Sequence, residues 1–356
     1  MMKMSTFVLR RGVPALLAVS LFFSCAQEEE MEPYESDGIT LAGSFDEYFD
    51  IGAAVALGVN SFDSFNTYED SLLAEFNSFT AENEMKPSVL RTATKGFSWS
   101  AADRLVAEAA SRGARVRGHA LVWHSQTPDW FAKTAANKEA ARQNMKDHIE
   151  AVLARYDENE VYCWDVVNEA ISDGGDYRKT DSPWYTIYGG PEYIRDAFQF
   201  ARDANPDVQL FYNDYNIVNT PKQDMIVKMI EDLNLIEDGL IDGVGIQAHW
   251  NINNWPSKDT IRNTINRFGE MGLRVHITEL DLTGRESEQP LLANRYRDIF
   301  EVFIECSEYI DSVTFWGVAD DHTWLNSHRG YPNFPFVFSE EHQRKTAYYS
   351  IRNLVE

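Results

Sequence analysis

From about Phe49 onward, short apolar runs alternate with amphipathic stretches, and the spacing of the apolar positions assigns each a conformation. Eight runs read as strands: DIGAAVAL, EFNSFTAEN, ARVRGHALVW, EVYCWDVVNE, VQLFYND, IDGVGIQA, LRVHITELD and DSVTFWGV. Between them, Pro191 to Asn205 places Ile194, Ala197, Phe198 and Ala201 on one helical face behind a proline suited to a first helical position. Asn205-Pro206-Asp207 stops that helix. After Thr220-Pro221, Ile226, Met229, Ile230 and Leu233 repeat at i, i+3, i+4 and i+7, a second helical face. Ser100 with Asp103 predicts a capping box opening a third helix, and Gly113 follows its end.

Strands alternating with helices predict a parallel sheet. About eight such units fit a single closed (β/α)8 TIM barrel better than an open sheet, and no internal Pro/Ser-rich linker divides the stretch. Asn83, His119, Glu169, Asn213, Gln247, His249, Glu279 and Asp281 fall at or near the C-terminal ends of the runs. In such a barrel that is the face where sites are built.

The start of the chain follows another pattern. Lys3, Arg10 and Arg11 precede the apolar run VPALLAVSLFFS, too short for a bilayer anchor and suited to a secretory signal. It ends at Ser24-Cys25, which resembles a bacterial lipoprotein cleavage site, with Cys25 the lipidated residue; ordinary cleavage beside an incidental cysteine is the alternative. The acidic AQEEEMEPYESDG that follows has no helical or strand period and reads as a solvated tether. Acidic residues directly after such a cysteine also resemble the surface-export signals of some Gram-negative lipoproteins. The expected division is therefore a leader over 1–24, a tether over 25–44 and a barrel over 45–356, exported and held at the outer membrane by lipid.

Charge and cysteine content narrow the partners. The net charge of −24 becomes −27 once a leader with three basic and no acidic residues is removed, so nucleic acid and anionic membrane surfaces are poor partners. A neutral polymer is not disfavoured. Apart from Cys25, Cys163 and Cys306 lie in apolar runs and read as buried thiols, not as a disulfide framework.

Two carboxylates stand out: Glu169 ending WDVVNE, and Glu279 in VHITELD. Either alone can be a structural salt-bridge partner. Two on one rim, three strands apart, suit glycosidic cleavage, in which one ionised oxygen attacks the anomeric carbon while an acid protonates the leaving oxygen. At ~5 Å and an effective dielectric of about 20 their repulsion is ~3 kcal/mol, roughly two pKa units, so one stays protonated into the working range.

The motifs ENEMKP (82–87), GHALVWHSQTPDW (118–130), WDVVNEA (164–170), FYNDYNI (211–217), GIQAHW (245–250), ITELD (277–281) and FWGVADDHTWL (315–325) together resemble glycoside hydrolase family 10, the retaining endo-β-1,4-xylanases. The resemblance runs from about residue 45 to the C-terminus. It implies Glu169 as acid/base and Glu279 as nucleophile. Sugar contacts are implied at Glu82, Asn83, Lys86, His119, Trp123, Gln126, Asn168, Gln247, Trp316 and Trp324, with His249 between Glu279 and Asp281 and with Tyr215 on the aglycone side. Xylan and xylo-oligosaccharides become the expected partners of a monomer needing no cofactor and no metal.

Each residue also has a plainer reading. His249 can be a satisfied core histidine, Tyr215 a surface tyrosine, and the tryptophans core. Asp320, Asp321 and His322 beside Trp324 point to an exposed loop there, where VADDHTW departs from the family's usual pattern. His119, His124 and His249 lack the spacing of a strong zinc motif. Besides a metal hydrolase, the alternatives are a polysaccharide-binding lipoprotein without chemistry and a retaining barrel acting on β-glucan.

Overall fold

All eight predicted runs form strands buried on both faces over most of their length, as parallel barrel strands are. They are β1 Asp50–Val55, β2 Ser78–Ala81, β3 Arg115–Gly118, β4 Val161–Asn168, β5 Gln209–Asp214, β6 Gly243–Ile246, β7 Arg274–Thr283 and β8 Ile310–Phe315. In this computed structural model, which describes residues 38–93 and 96–356, neighbours pair in parallel around the whole circuit. Pairing of β8 with both β1 and β7 closes the barrel. Short segments at Val122–Trp123 and His249–Asn251 extend pairing beside β4 and β7 on the C-terminal rim.

The leader, Cys25 and most of the expected tether lie outside the described residues. The body starts earlier than residue 45. Leu41–Ser44 form one helical turn capped by Thr40, whose hydroxyl accepts from Gly43 N at 3.0 Å. Leu41 is fully buried and its N–H donates to Glu75 Oε2 at 2.6 Å. A single turn is too short to show a period in the sequence.

Two predicted helices appear at Glu192–Ala204 and Thr220–Asp232, and every apolar position assigned to their inner faces is buried. Burial of side chains this size contributes roughly 1.5–3 kcal/mol each. The third helix, Ser100–Ser111, corrects the expected capping box: Trp99 occupies the cap position and no side chain caps it. Asp103 instead takes Arg155 Nε at 2.6 Å and Tyr156 Oη at 2.8 Å, tying this helix to the end of Lys138–Arg155. A tertiary partner outcompetes a local one there. Gly113 follows the helix as expected, at φ 69°.

Two features of the barrel wall aim side chains at the rim. Register shifts occur on β4 between Asp165 and Val167 and on β7 between Ile277 and Leu280, immediately before Asn168 and around Glu279. Such irregularities turn a strand locally and redirect the next side chain. Beneath the rim the barrel is tightly filled. Trp164 on β4 is fully buried against Gly118 on β3, where an added Cβ would lie 2.3 Å from the indole.

Gly118→Ala should therefore overpack the barrel, destabilising it by roughly 1–3 kcal/mol and lowering Tm by about 1.5–4.5 °C in a calorimetric melt. An unchanged Tm would mean that Trp164 is not held against this backbone.

Candidate active site

The C-terminal rim opens into a cleft of about 650 Å³ lined by Glu169 and Glu279. Every implied sugar contact lines it too: Glu82, Asn83, Lys86, His119, Trp123, Gln126, Asn168, Tyr215, Gln247, His249, Trp316 and Trp324. Asp281 sits directly behind, fully buried.

Glu279 is gripped from two sides. Asn213 Nδ2 on β5 donates to Oε1 at 2.8 Å, and His249 Nε2 lies 3.1 Å from Oε2. The other nitrogen of His249 is 2.9 Å from Asp281 Oδ2, which also accepts from Trp324 Nε1 at 2.8 Å. An imidazole facing carboxylates at both nitrogens satisfies both only by carrying two protons. Burial alone would lower the His249 pKa, but Asp281 and Glu279 outweigh it and raise it to about 10. Burial likewise pushes Glu279 up, while the His249 hydrogen bond, the nearby His119 and the Asn213 amide bring it down to about 2. Glu279 is thus held as an anion, and His249 is no passive core histidine.

Glu169 stands across the cleft with one oxygen 3.0 Å from Trp123 Nε1 and the other 3.0 Å from Gln247 Nε2. Asn168, the preceding residue, packs its amide against Asn213 and Gln247. A continuous polar chain therefore links the two carboxylates through Gln247, Asn168 and Asn213. The backbone of Glu169 is left-handed, at φ 57°, and Gln126, Asn216 and Ala248 around the same rim are left-handed as well. Each such conformation costs about 1–3 kcal/mol for a non-glycine residue, and such residues concentrate at functional sites. Several bonds hold Glu169 in it: its N–H donates to Asn213 O at 2.9 Å, and Arg178 Nε donates to its carbonyl at 2.8 Å. The next two amides donate to Tyr212 Oη at 3.0 and 3.2 Å.

The aromatic groups divide the work. Trp316 is buried, edge-on to His119 and His249, and forms the floor. Trp123 spends its N–H on Glu169 while Lys86 Nζ lies 5.1 Å from its ring. Burial lowers the Lys86 pKa, against the pull of Glu279, Glu82 and Glu169. Trp324 is half-buried and tied to Asp281, so the exposed loop expected there is corrected. Asp320 is buried and paired with Lys345 at 2.6 Å, and His322 reaches back to Glu82 Oε2 at 3.2 Å. These acids and this histidine fasten the loop; they do not expose it.

Several contributors were not assigned a role from the sequence. Asn213 joins Asn168 to Glu279 and is itself oriented by the Thr278 hydroxyl at 2.7 Å. Its inward place at the end of VQLFYND was a usable signal. Asp165, buried on β4, accepts from Arg117 and orients His119 through Nδ1 at 2.8 Å. Arg178 also donates to Tyr215 Oη at 2.7 Å and pairs with Asp181 at 2.8 Å, and a loop arginine gives no periodic signal. Cys163 and Cys306 are free and buried.

Comparison with known proteins agrees with this geometry. The family model for glycosyl hydrolase family 10 matches residues 40–354. Endo-1,4-beta-xylanase B of Paenibacillus barcinonensis is 39% identical over 331 residues, covering 88% of this chain and 97% of its own length. The crystal structure of xylanase XynB from the same organism aligns with a TM-score of 0.81 at 38% identity, over 89% of this chain and 99% of that one. An endoxylanase structure from a sugarcane soil metagenome aligns at 0.83 and 35% identity, over 89% and 100%. With the match spanning the barrel and both rim carboxylates, the chain belongs to glycosyl hydrolase family 10.

Proposed function

We propose that the protein is a retaining endo-1,4-β-xylanase, acting as a monomer on internal bonds of xylan. The observation that carries this reading is Glu279, hydrogen-bonded to His249 and Asn213, lining one cleft with a second carboxylate, Glu169. Glu279 is the nucleophile and Glu169 the acid/base. Glu169 gives its proton to the glycosidic oxygen as Glu279 bonds to the anomeric carbon and the aglycone departs. Glu169 then takes a proton from water, which displaces Glu279 and restores the starting configuration. Asn168 hydrogen-bonds the sugar 2-hydroxyl, a contact that strengthens as positive charge grows on the ring. Glu82, Asn83, Lys86 and Gln126 hold the glycone, Tyr215 the aglycone, and Trp324 crowds the hydroxymethyl group that xylose lacks.

Purified protein should release new reducing ends from xylan and prefer an aryl xylobioside to an aryl cellobioside; the opposite preference would make it a β-glucan enzyme. Glu279→Ala should abolish turnover with xylan binding intact. Glu169→Ala should slow substrates with poor leaving groups far more than activated aryl glycosides. Equal loss on both would remove Glu169 as the acid.

The His249–Glu279 pair also sets a pH window. Because the Glu279 pKa is depressed, its stabilising contribution is lost as pH falls from about 4.5 toward 2. Because the His249 pKa is raised, its contribution is lost as pH climbs from about 6.5 to 10. In His249→Asn the imidazolium is gone, so the acid limb of kcat/KM should move up by about one pH unit or more. A limb that stays in place would leave Glu279 independent of His249.

We further propose that the chain is exported and anchored by lipid on Cys25, on a tether whose r.m.s. reach is roughly 25 Å. The support is the basic start, the apolar run and the Ser24-Cys25 junction. Cells fed a palmitate analogue should label the wild type and leave Cys25→Ala unlabelled; label on neither would remove the anchor.

A further inference from the structure

Beyond Trp324 the cleft wall carries a histidine and an arginine that the reaction does not use. His328 stacks obliquely on Trp324 with ring centroids 4.6 Å apart, and Arg329 follows it; both are exposed and both line the cleft. Arg329 Nη2 donates only a long bond, 3.4 Å, to Thr283 Oγ1 at the end of β7. Among the described residues no carboxylate lies within the 4.0 Å of an ion pair from its guanidinium. Many arginines elsewhere are neutralised, as Arg178 is by Asp181, Arg202 by Asp242 and Arg274 by Asp311.

The rest of the cleft has the opposite sign. Glu82, Glu169 and Glu279 line it and Asp281 lies behind, outnumbering the buried Lys86 and the His249 imidazolium, and the whole chain carries −24. A carboxylate on an incoming polysaccharide is repelled everywhere except beside an unpaired cation. A guanidinium is the group suited to it, since its planar fork matches a carboxylate with two parallel hydrogen bonds. A densely charged polyanion would still be excluded by the overall field, whereas isolated carboxylates on a neutral backbone would not.

We propose that Arg329, with His328 beside it, binds the carboxylate of a uronic acid substituent on a xylose next to the one held at Glu279. The inference rests on xylan being the substrate and adds which decoration the cleft selects. Only the ratio of acidic to neutral substrates is set by this contact; the bond-breaking machinery is untouched.

The test compares kcat/KM for a xylo-oligosaccharide bearing one glucuronic acid with that for the same compound after its carboxyl is reduced to the alcohol. In Arg329→Gln the acidic-to-neutral ratio should fall about 3- to 10-fold, as expected for losing one partly exposed charged contact. Arg329→Lys should retain part of it. Arg285 also lacks a carboxylate within ion-pair distance among the described residues but does not line the cleft, so Arg285→Gln should leave the ratio unchanged. Raising ionic strength should lower the wild-type ratio toward that of Arg329→Gln. An unchanged ratio in Arg329→Gln, or an equal drop in Arg285→Gln, overturns the proposal while leaving the xylanase intact. Failure of the wild type to cut unsubstituted xylan overturns the function and this inference together.

Discussion

The site depends on one half-buried contact, His249 between Glu279 and Asp281. Two carboxylates and one imidazolium in a buried rim form a unit with a single net negative charge, which is far easier to bury than two unpaired anions. Asp281 is the necessary third member: it faces Nδ1 of His249, leaving Nε2 for Glu279. Trp324 secures Asp281 in turn, so the residue that shapes the sugar pocket also anchors the charge arrangement behind it.

The barrel converts distant chain positions into neighbours through local irregularity as well as closure. Regular strands would send successive side chains alternately inward and outward. The register shifts on β4 and β7 and the left-handed backbone at Glu169 break that alternation where the two carboxylates must face the cleft. Arg178 and Tyr212 hold the left-handed segment in place, so rigidity at Glu169 comes from groups on two other segments of the chain. Gly245 shows how tight the arrangement is: an added Cβ would come 2.3 Å from Asn213 Oδ1, displacing the amide that grips Glu279.

The charge layout follows the same logic at longer range. An acidic chain working on a largely neutral polymer has no need of a basic groove, and within the cleft Lys86 and His249 offset the lining carboxylates. Elsewhere the paired arginines serve as ties between helices and strands, Arg274 to Asp311 and Arg344 to Glu75 among them.

Periodicity made the eight strands, the inner faces of Glu192–Ala204 and Thr220–Asp232, and the C-terminal placement of Glu169 and Glu279 legible in the chain, because burial imposes a repeat that each element displays by itself. The side chains that line the cleft were legible as well, once their motifs were set beside a family. Asp103 turning to Arg155 in preference to its own helix, Leu41 joining the core, Asp320 fastening the Trp324 loop, and the linkage of Asn213, Arg178 and Asp165 to the catalytic groups were not. Each of these depends on which remote side chain arrives nearby, a distance that exists only after the barrel closes. The residue types and the rim they occupy were thus decided locally, whereas the protonation of His249 and Glu279 was decided by tertiary contact, since Coulomb energy depends on separation in space and not along the chain.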